Sequence, residues 1–211
     1  MEPTIYKPSI YKGAGIYKTG AEGGGGGLPD DVVLYQVLKN TARGYSIGWS
    51  IPFSETNENK EFIVSYKVDS WVTYPNSYLI GELGYNTLTF TQSSTSYFMN
   101  NNYGSNALYN GLTDTNFHLL AIKNNKLIDK LTNNTLISNI PYNAFNIGTL
   151  RLFNQQNSIS IYEFAIKKDD SFIMRLRPAK KGANLCLFDI INNVEYYPIS
   201  PSSWEVEIPI I

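Results

Sequence analysis

From residue 28 onward, short apolar runs alternate with clusters of turn-forming residues. In the run from Glu61 to Val68, every second position beginning at Phe62 is apolar. A period of two places these side chains on one face of a strand, whereas an amphipathic helix needs a period of about 3.6 residues. No stretch of this region shows a convincing helical period, so the pattern predicts an all-β domain.

The predicted strands are rich in β-branched and aromatic residues, which favour pleated sheets. They are Val32–Leu38, Glu61–Val68, Tyr78–Leu83, Asn86–Gln92, Phe117–Lys123, Lys126–Leu131, Thr149–Phe153, Ile159–Lys167, Ser171–Arg177, Leu185–Ile190, Val194–Tyr197 and Trp204–Ile208. Between them lie turns at Asn57–Asn59, Asn124–Asn125, Asn133–Asn134, Lys168–Asp170 and Asn192–Asn193, since Asn and Asp tolerate left-handed backbone. Pro209 marks the last run as an edge strand. Many short strands at this spacing predict a sandwich or a barrel.

The segment from Ser93 to Gly111 is polar and rich in Asn and Tyr, which predicts a long loop region. Tyr97, Tyr103 and Tyr109 are its candidate contact residues. Their rings suit glycan binding, and they suit a subunit interface equally well because Tyr is enriched there. A calcium site is possible but unassigned, with oxygen donors at Asn100 to Asn102, Asn106 and Asp114.

Residues 1–27 differ from the rest and are separated as an anchoring peptide and linker, with the β domain spanning 28–211. One apolar–aromatic–basic unit occurs three times, as Ile5-Tyr6-Lys7, Ile10-Tyr11-Lys12 and Ile16-Tyr17-Lys18. Pro and Gly separate the units, and Gly23 to Gly27 form a flexible tether. We expect the units to dock on a partner in extended form. The alternatives are a tail without a partner and packing onto the chain's own domain.

Charge and cysteine content exclude several classes of function. The 17 basic and 18 acidic residues give a net charge of −1, which argues against nucleic-acid binding. No apolar run is long enough to span a membrane as a helix. Cys186 is the only cysteine and His118 the only histidine, so a Cys- or His-based metal site is not expected and no cofactor is predicted.

Catalysis is not expected either. His118 is predicted to be a structural histidine within a strand, and Cys186 a small buried apolar residue. A glycoside hydrolase needs two carboxyl groups flanking a bond at about 5–9.5 Å. No such spacing is found in the sequence. Glu205 and Glu207 share a strand face, and they suit a solvated edge strand. The chain is therefore expected to be non-enzymatic.

The second half of the chain resembles the concanavalin A-like, laminin-G-like jelly-roll superfamily. The resemblance rests on Phe117-His118-Leu119 with the following Asn124 turn, on Phe145-Asn146-Ile147-Gly148, and on the stretch from Leu150 to Pro198. That stretch carries Arg177-Pro178-Ala179-Lys180-Lys181, Leu187-Phe188-Asp189 and Glu195-Tyr196-Tyr197. Leu185-Cys186 departs from the Gly usual before such a Leu. The resemblance implies a two-sheet antiparallel jelly-roll sandwich.

The repeated units followed by polyglycine resemble the leaders of virion proteins of crAss-like Bacteroides phages, notably their head-fibre proteins. This resemblance implies a head fibre or capsid decoration, anchored to a major capsid protein or a neighbouring virion protein. It implies a homotrimer, made in the bacterial cytoplasm and placed on the capsid surface. The alternative is a carbohydrate-binding lectin module of a tail fibre or surface adhesin, with a host glycan as its partner.

Overall fold

The computed structural model describes residues 27–42, 47–53, 59–70, 77–81, 89–92, 97–100, 106–109, 115–124, 126–138, 149–154 and 158–210. Within these ranges the chain forms sixteen β-strands, one short 3-10 turn and no α-helix. The strands are β1 Val32–Asn40, β2 Trp49–Pro52, β3 Lys60–Ser70, β4 Ser77–Gly81, β5 Thr89–Gln92, β6 Tyr97–Asn100, β7 Asn106–Tyr109, β8 Phe117–Lys123, β9 Lys126–Asp129, β10 Asn134–Ile137, β11 Thr149–Asn154, β12 Ser158–Lys168, β13 Ser171–Lys181, β14 Asn184–Asp189, β15 Val194–Tyr196 and β16 Trp204–Pro209.

The strands form two antiparallel sheets. The large sheet has ten strands in the order β10-β9-β8-β3-β12-β1-β13-β14-β15, with β16 paired to β1. The small sheet has six strands in the order β2-β11-β4-β5-β6-β7. The two sheets share one apolar core, to which the small sheet contributes Trp49 and Leu152 and the large sheet contributes Tyr66 and Phe164. This is the arrangement of a β-sandwich, and the prediction of an all-β protein with two antiparallel sheets is confirmed.

The hairpin of β12 and β13 opens into a Y, and β1 crosses its open end. The two strands pair from Phe164↔Leu176 to Lys168↔Ser171 and then separate. Leu38 of β1 faces Ile161 on one arm, and Leu34 faces Ala179 on the other. Because β1 runs across the mouth of the Y, it is antiparallel to both arms. β16 lies along the opposite edge of β1.

Two tryptophans join the sheets reciprocally. The indole Nε1 of Trp49, in the small sheet, donates to the Tyr196 carbonyl at 2.9 Å. The Nε1 of Trp204, in the large sheet, donates to the Ile47 carbonyl at 2.7 Å. Their rings lie 4.9 Å apart in a tilted arrangement. Each buried indole N–H therefore has an acceptor across the core, as burial requires.

In the predicted turns, Asn and Asp residues adopt backbone angles in the left-handed region. Positive φ angles occur at Asn59, Asn124, Asn133, Asp169, Asp170 and Asn193, among others. Short polar side chains accept this backbone region more readily than other L-residues do. The predicted turns are confirmed at these positions.

The prediction of an unbroken loop region from Ser93 to Gly111 is wrong in part. β6 and β7 lie inside it and pair from Tyr97↔Tyr109 to Asn100↔Asn106. The many Asn residues favour loops, and these two four-residue strands are too short to show the period of two that is typical of a strand. β2 and β10 were also not predicted, for the same reason.

Candidate functional site

A shallow groove runs across the outer face of the large sheet, opposite the core. On β3 the alternation that buries Phe62 and Val64 in the core turns Ile63 and Ser65 toward this outer face. The groove has a volume of about 200 Å³. We call it the outer groove, and its lining residues are Ile63, Ser65, Phe117, Leu119, Lys130, Tyr162, Glu163, Lys167, Phe172, Arg175 and Arg177.

Glu163 anchors the charge arrangement of the outer groove. Its carboxylate accepts Arg175 Nε at 3.0 Å and Arg175 Nη2 at 3.2 Å, so that pair is bidentate. It also accepts Arg177 Nη1 at 2.7 Å. The Arg177 side chain is only 7% exposed and that of Glu163 17%. Both guanidinium groups are therefore held in fixed orientations by one partly buried carboxylate.

Two lysines lie toward the other end of the groove. Lys130 Nζ binds Oε1 of the buried Glu61 at 2.9 Å. Lys167 is the register partner of Glu61 across β3 and β12, and its ammonium lies 4.6 Å from the centroid of the Phe172 ring. Arg175 contacts the same ring, at 4.9 Å. Four cations line the groove beside the carboxylate of Glu163 and the buried carboxylate of Glu61, so the net charge of this cluster is positive.

An aromatic pair forms the end of the groove near Ser65. Phe117 of β8 and Tyr162 of β12 meet edge to face, with centroids 5.1 Å apart. Burial raises the pKa of the Tyr162 phenol, and the charge of Asp69 raises it further. The phenol therefore keeps its proton at neutral pH. Apolar rings at one end and cations at the other suit the binding of an amphipathic anion.

The residues of the repeated N-terminal units, from Ile5 to Lys18, lie outside the described residues, and so does Tyr103. Tyr97 and Tyr109 are direct backbone partners across β6 and β7 of the small sheet. Asn100 and Asn106 are partners in the same hairpin, whereas Asn101, Asn102 and Asp114 lie outside the described residues. No group of three or more His, Cys, Asp or Glu in the described part of the chain is arranged to hold a metal ion.

The residues for which the sequence analysis expected no catalytic role lie in environments typical of structural residues. His118 is buried, and its ring lies 5.5 Å from that of Tyr66. Burial raises the pKa of the Cys186 thiol to about 11, so it stays protonated and unreactive at neutral pH. Glu207 binds Lys39 at 2.8 Å on the edge formed by β1 and β16, and this hydrogen bond raises the pKa of Lys39.

Sequence reasoning missed the outer groove. Its residues come from β3, β8, β12, β13 and the turn after β9, and each alone is an ordinary polar or half-buried position on an amphipathic strand. One signal was present in the sequence. A hairpin at the Lys168–Asp170 turn brings Glu163, on the first strand, to the same face of the sheet as Arg175 and Arg177, on the second.

The described residues contain no helix long and apolar enough to cross a membrane. Comparison of the chain with protein-family models, with curated proteins and with solved structures finds no match.

Proposed function

We propose that the chain is a non-enzymatic virion structural protein, a head fibre or capsid decoration like those of crAss-like Bacteroides phages. In this proposal residues 1–27 anchor it to a major capsid protein or a neighbouring virion protein. Residues 28–211 form a concanavalin A-like jelly-roll body displayed outward. The protein is made in the host bacterial cytoplasm and ends on the capsid surface.

The observation that carries this proposal is the threefold repeat of Ile-Tyr-Lys, followed by five glycines and then by a β-sandwich body. Each unit carries apolar and aromatic side chains but is too short to fold alone, so its Ile and Tyr can be buried only against another surface. The glycine run lets the body move independently of the attachment point. A short docking peptide binds weakly because it loses conformational entropy. A trimer would present three peptides together and raise the overall avidity by about 10²–10⁴.

The test is co-assembly with capsids. The full chain is produced together with the major capsid protein of the same genome, and particles are isolated by sedimentation. We expect the chain to sediment with the particles. A variant with Tyr6→Ser, Tyr11→Ser and Tyr17→Ser should remain at the top of the gradient. The matched control, Thr4→Ala, Ser9→Ala and Thr19→Ala, changes one residue next to each unit and should still sediment.

Light scattering on the same three proteins gives their mass in solution. We expect a trimer for all three. A wild-type chain that never sediments with capsids would contradict the anchoring proposal, and a monomer would contradict the avidity argument.

The second candidate is carbohydrate binding, as a lectin module of a tail fibre or adhesin. The outer groove favours carbohydrate binding. Its aromatic rings suit contact with sugar rings, and its oriented guanidinium groups suit hydrogen bonds to sugar hydroxyls. Its test is a screen of the full chain against immobilised glycans. Binding lost on Phe117→Leu and kept on Tyr197→Phe, an exposed tyrosine outside the groove, would support the outer groove as the glycan site.

A further inference from the structure

We propose that the outer groove binds a carboxylate-bearing saccharide, such as a uronic acid or sialic acid unit of an acidic polysaccharide. This inference rests on the second candidate function and names the class of glycan. It is carried by the placement of Lys130 and Lys167 at one end of the groove and of Phe117 and Tyr162 at the other.

The charge of the groove selects an anion. Lys130, Lys167, Arg175 and Arg177 line it with the carboxylate of Glu163, and the buried carboxylate of Glu61 pairs with Lys130 beside it. Glu163 binds both guanidinium groups and orients them, so four cations lie beside two carboxylates and the net charge of the cluster is positive. A neutral sugar would leave this excess positive charge uncompensated, whereas a carboxylate would complement it.

The strand register gives the groove a direction. Lys167 lies opposite Glu61, and Lys130 binds Glu61, so the lysine end is at residues 61–63 of β3. Phe117 lies opposite Lys67, so the aromatic end is at residues 65–67. Four residues of strand span about 13 Å, the length of a short oligosaccharide. We infer that the carboxylate of one unit lies at the lysine end and that the ring of a neighbouring unit packs against the aromatic pair.

Phe172 orients cations rather than stacking a sugar. Lys167 and Arg175 both approach its ring, and the negative potential of the ring face favours them there. The Phe117 and Tyr162 pair instead supplies apolar contact. The weakly positive C–H groups of a pyranose face are attracted to aromatic rings by the same quadrupole.

The position of the groove disfavours an acidic peptide. β3 pairs with β8 on one side and with β12 on the other, so the strands under the groove have no open edge there. An extended peptide gains much of its affinity by adding a strand at an edge, which this surface does not offer. A ligand must therefore be recognised through side chains alone, as a saccharide is.

Calorimetric titration of the full chain tests the inference, with oligogalacturonate and oligosialate as acidic probes. The methyl ester of oligogalacturonate is the neutral control with the same rings, and polyglutamate is the acidic peptide control. We expect one or both acidic saccharides to bind, with an affinity that falls as salt is raised. The ester and polyglutamate should bind at least about tenfold more weakly, the loss for one charged hydrogen bond.

Two lysine variants locate the site. Lys167→Gln should weaken binding of the acidic probe by about tenfold, since it removes a cation from the groove. Lys168→Gln removes the same charge from the next residue, which does not line the groove, and should leave affinity within about twofold. Thermal unfolding of both variants checks that the body stays folded.

The outcomes separate the two levels of the proposal. Equal binding of the methyl ester would overturn the acidic specificity and leave glycan binding standing. Equal binding of polyglutamate, or equal losses in the two lysine variants, would overturn the saccharide site in the outer groove. Failure of every saccharide to bind would overturn the second candidate function too, whereas the virion proposal is decided by sedimentation.

Discussion

Glu163 determines how the cations of the outer groove are arranged. Its two oxygens accept three N–H groups from Arg175 and Arg177. All five charged side chains that line the groove belong to strands or turns of the large sheet. The pair with Arg177 is largely removed from water. Breaking such a pair from one side leaves an uncompensated charge, which costs more than the pair contributes.

Glu163→Gln should therefore lower the free energy of unfolding by about 3 kcal/mol, because it removes the partly buried carboxylate that binds two guanidinium groups. Urea denaturation measures the change. The matched control is Glu207→Gln, which removes a carboxylate that is 42% exposed in its side chain. An exposed pair of this kind contributes about 0–1 kcal/mol, so the control should barely shift. Equal losses of unfolding free energy in the two variants would contradict the argument that burial makes the Glu163 pairs more important for stability than the exposed Glu207 pair.

At the scale of elements, the strands with a clear period were predictable and the others were not. The prediction for Phe117–Lys123 coincides with β8, because its core positions alternate with outer ones. No local pattern in the sequence predicts the Y formed by β12, β13 and β1, because its paired residues, such as Leu38 and Ile161, are far apart in sequence. The outer groove was missed for a related reason. Its residues meet only through the pairing of β3 with β8 and β12.

Gly48 is required where β2 begins beside β11. A Cβ there would overlap the Leu152 carbonyl oxygen and would lie 2.7 Å from that of Phe153, and both are backbone atoms. Gly48→Ala should therefore displace β2 and lower the free energy of unfolding by more than about 3 kcal/mol. The control is Gly182→Ala, where φ is +58° and nothing lies near the added Cβ. Only backbone strain of about 1 kcal/mol is expected there.

Thermal unfolding followed by circular dichroism compares the two alanine variants. Similar melting temperatures would contradict the close approach of β2 to β11 at Gly48.

At the scale of the whole molecule, the shared core makes the two sheets one cooperative unit. Trp49 and Trp204 each donate across the core, so neither sheet can separate without exposing a buried carbonyl and an indole. The sequence indicated the apolar content of this core but not which strands face one another across it. Both indoles lie in short or terminal strands, where periodicity carries little information.

Trp204→Phe should lower the free energy of unfolding by about 2–4 kcal/mol, through lost packing and an unsatisfied Ile47 carbonyl. The transition should remain single, with the same midpoint in near- and far-ultraviolet circular dichroism, because both sheets share the core. Tyr197→Phe is the control, since this side chain is exposed and its change should leave the midpoint within error. Two separate transitions in the variant would contradict a single cooperative unit.

The strand that crosses the Y also sets an order of events during folding. The Asn40 side chain at the end of β1 accepts a hydrogen bond from the amide of Ile159, 119 residues later, and the other partners of β1 follow later still. Such distant pairing makes the contact order high, and high contact order slows folding. On the ribosome, β1 emerges long before anything can cover its edges. The nascent chain must therefore stay protected from aggregation until β16 has been synthesised, and assembly of any oligomer can begin only after that point.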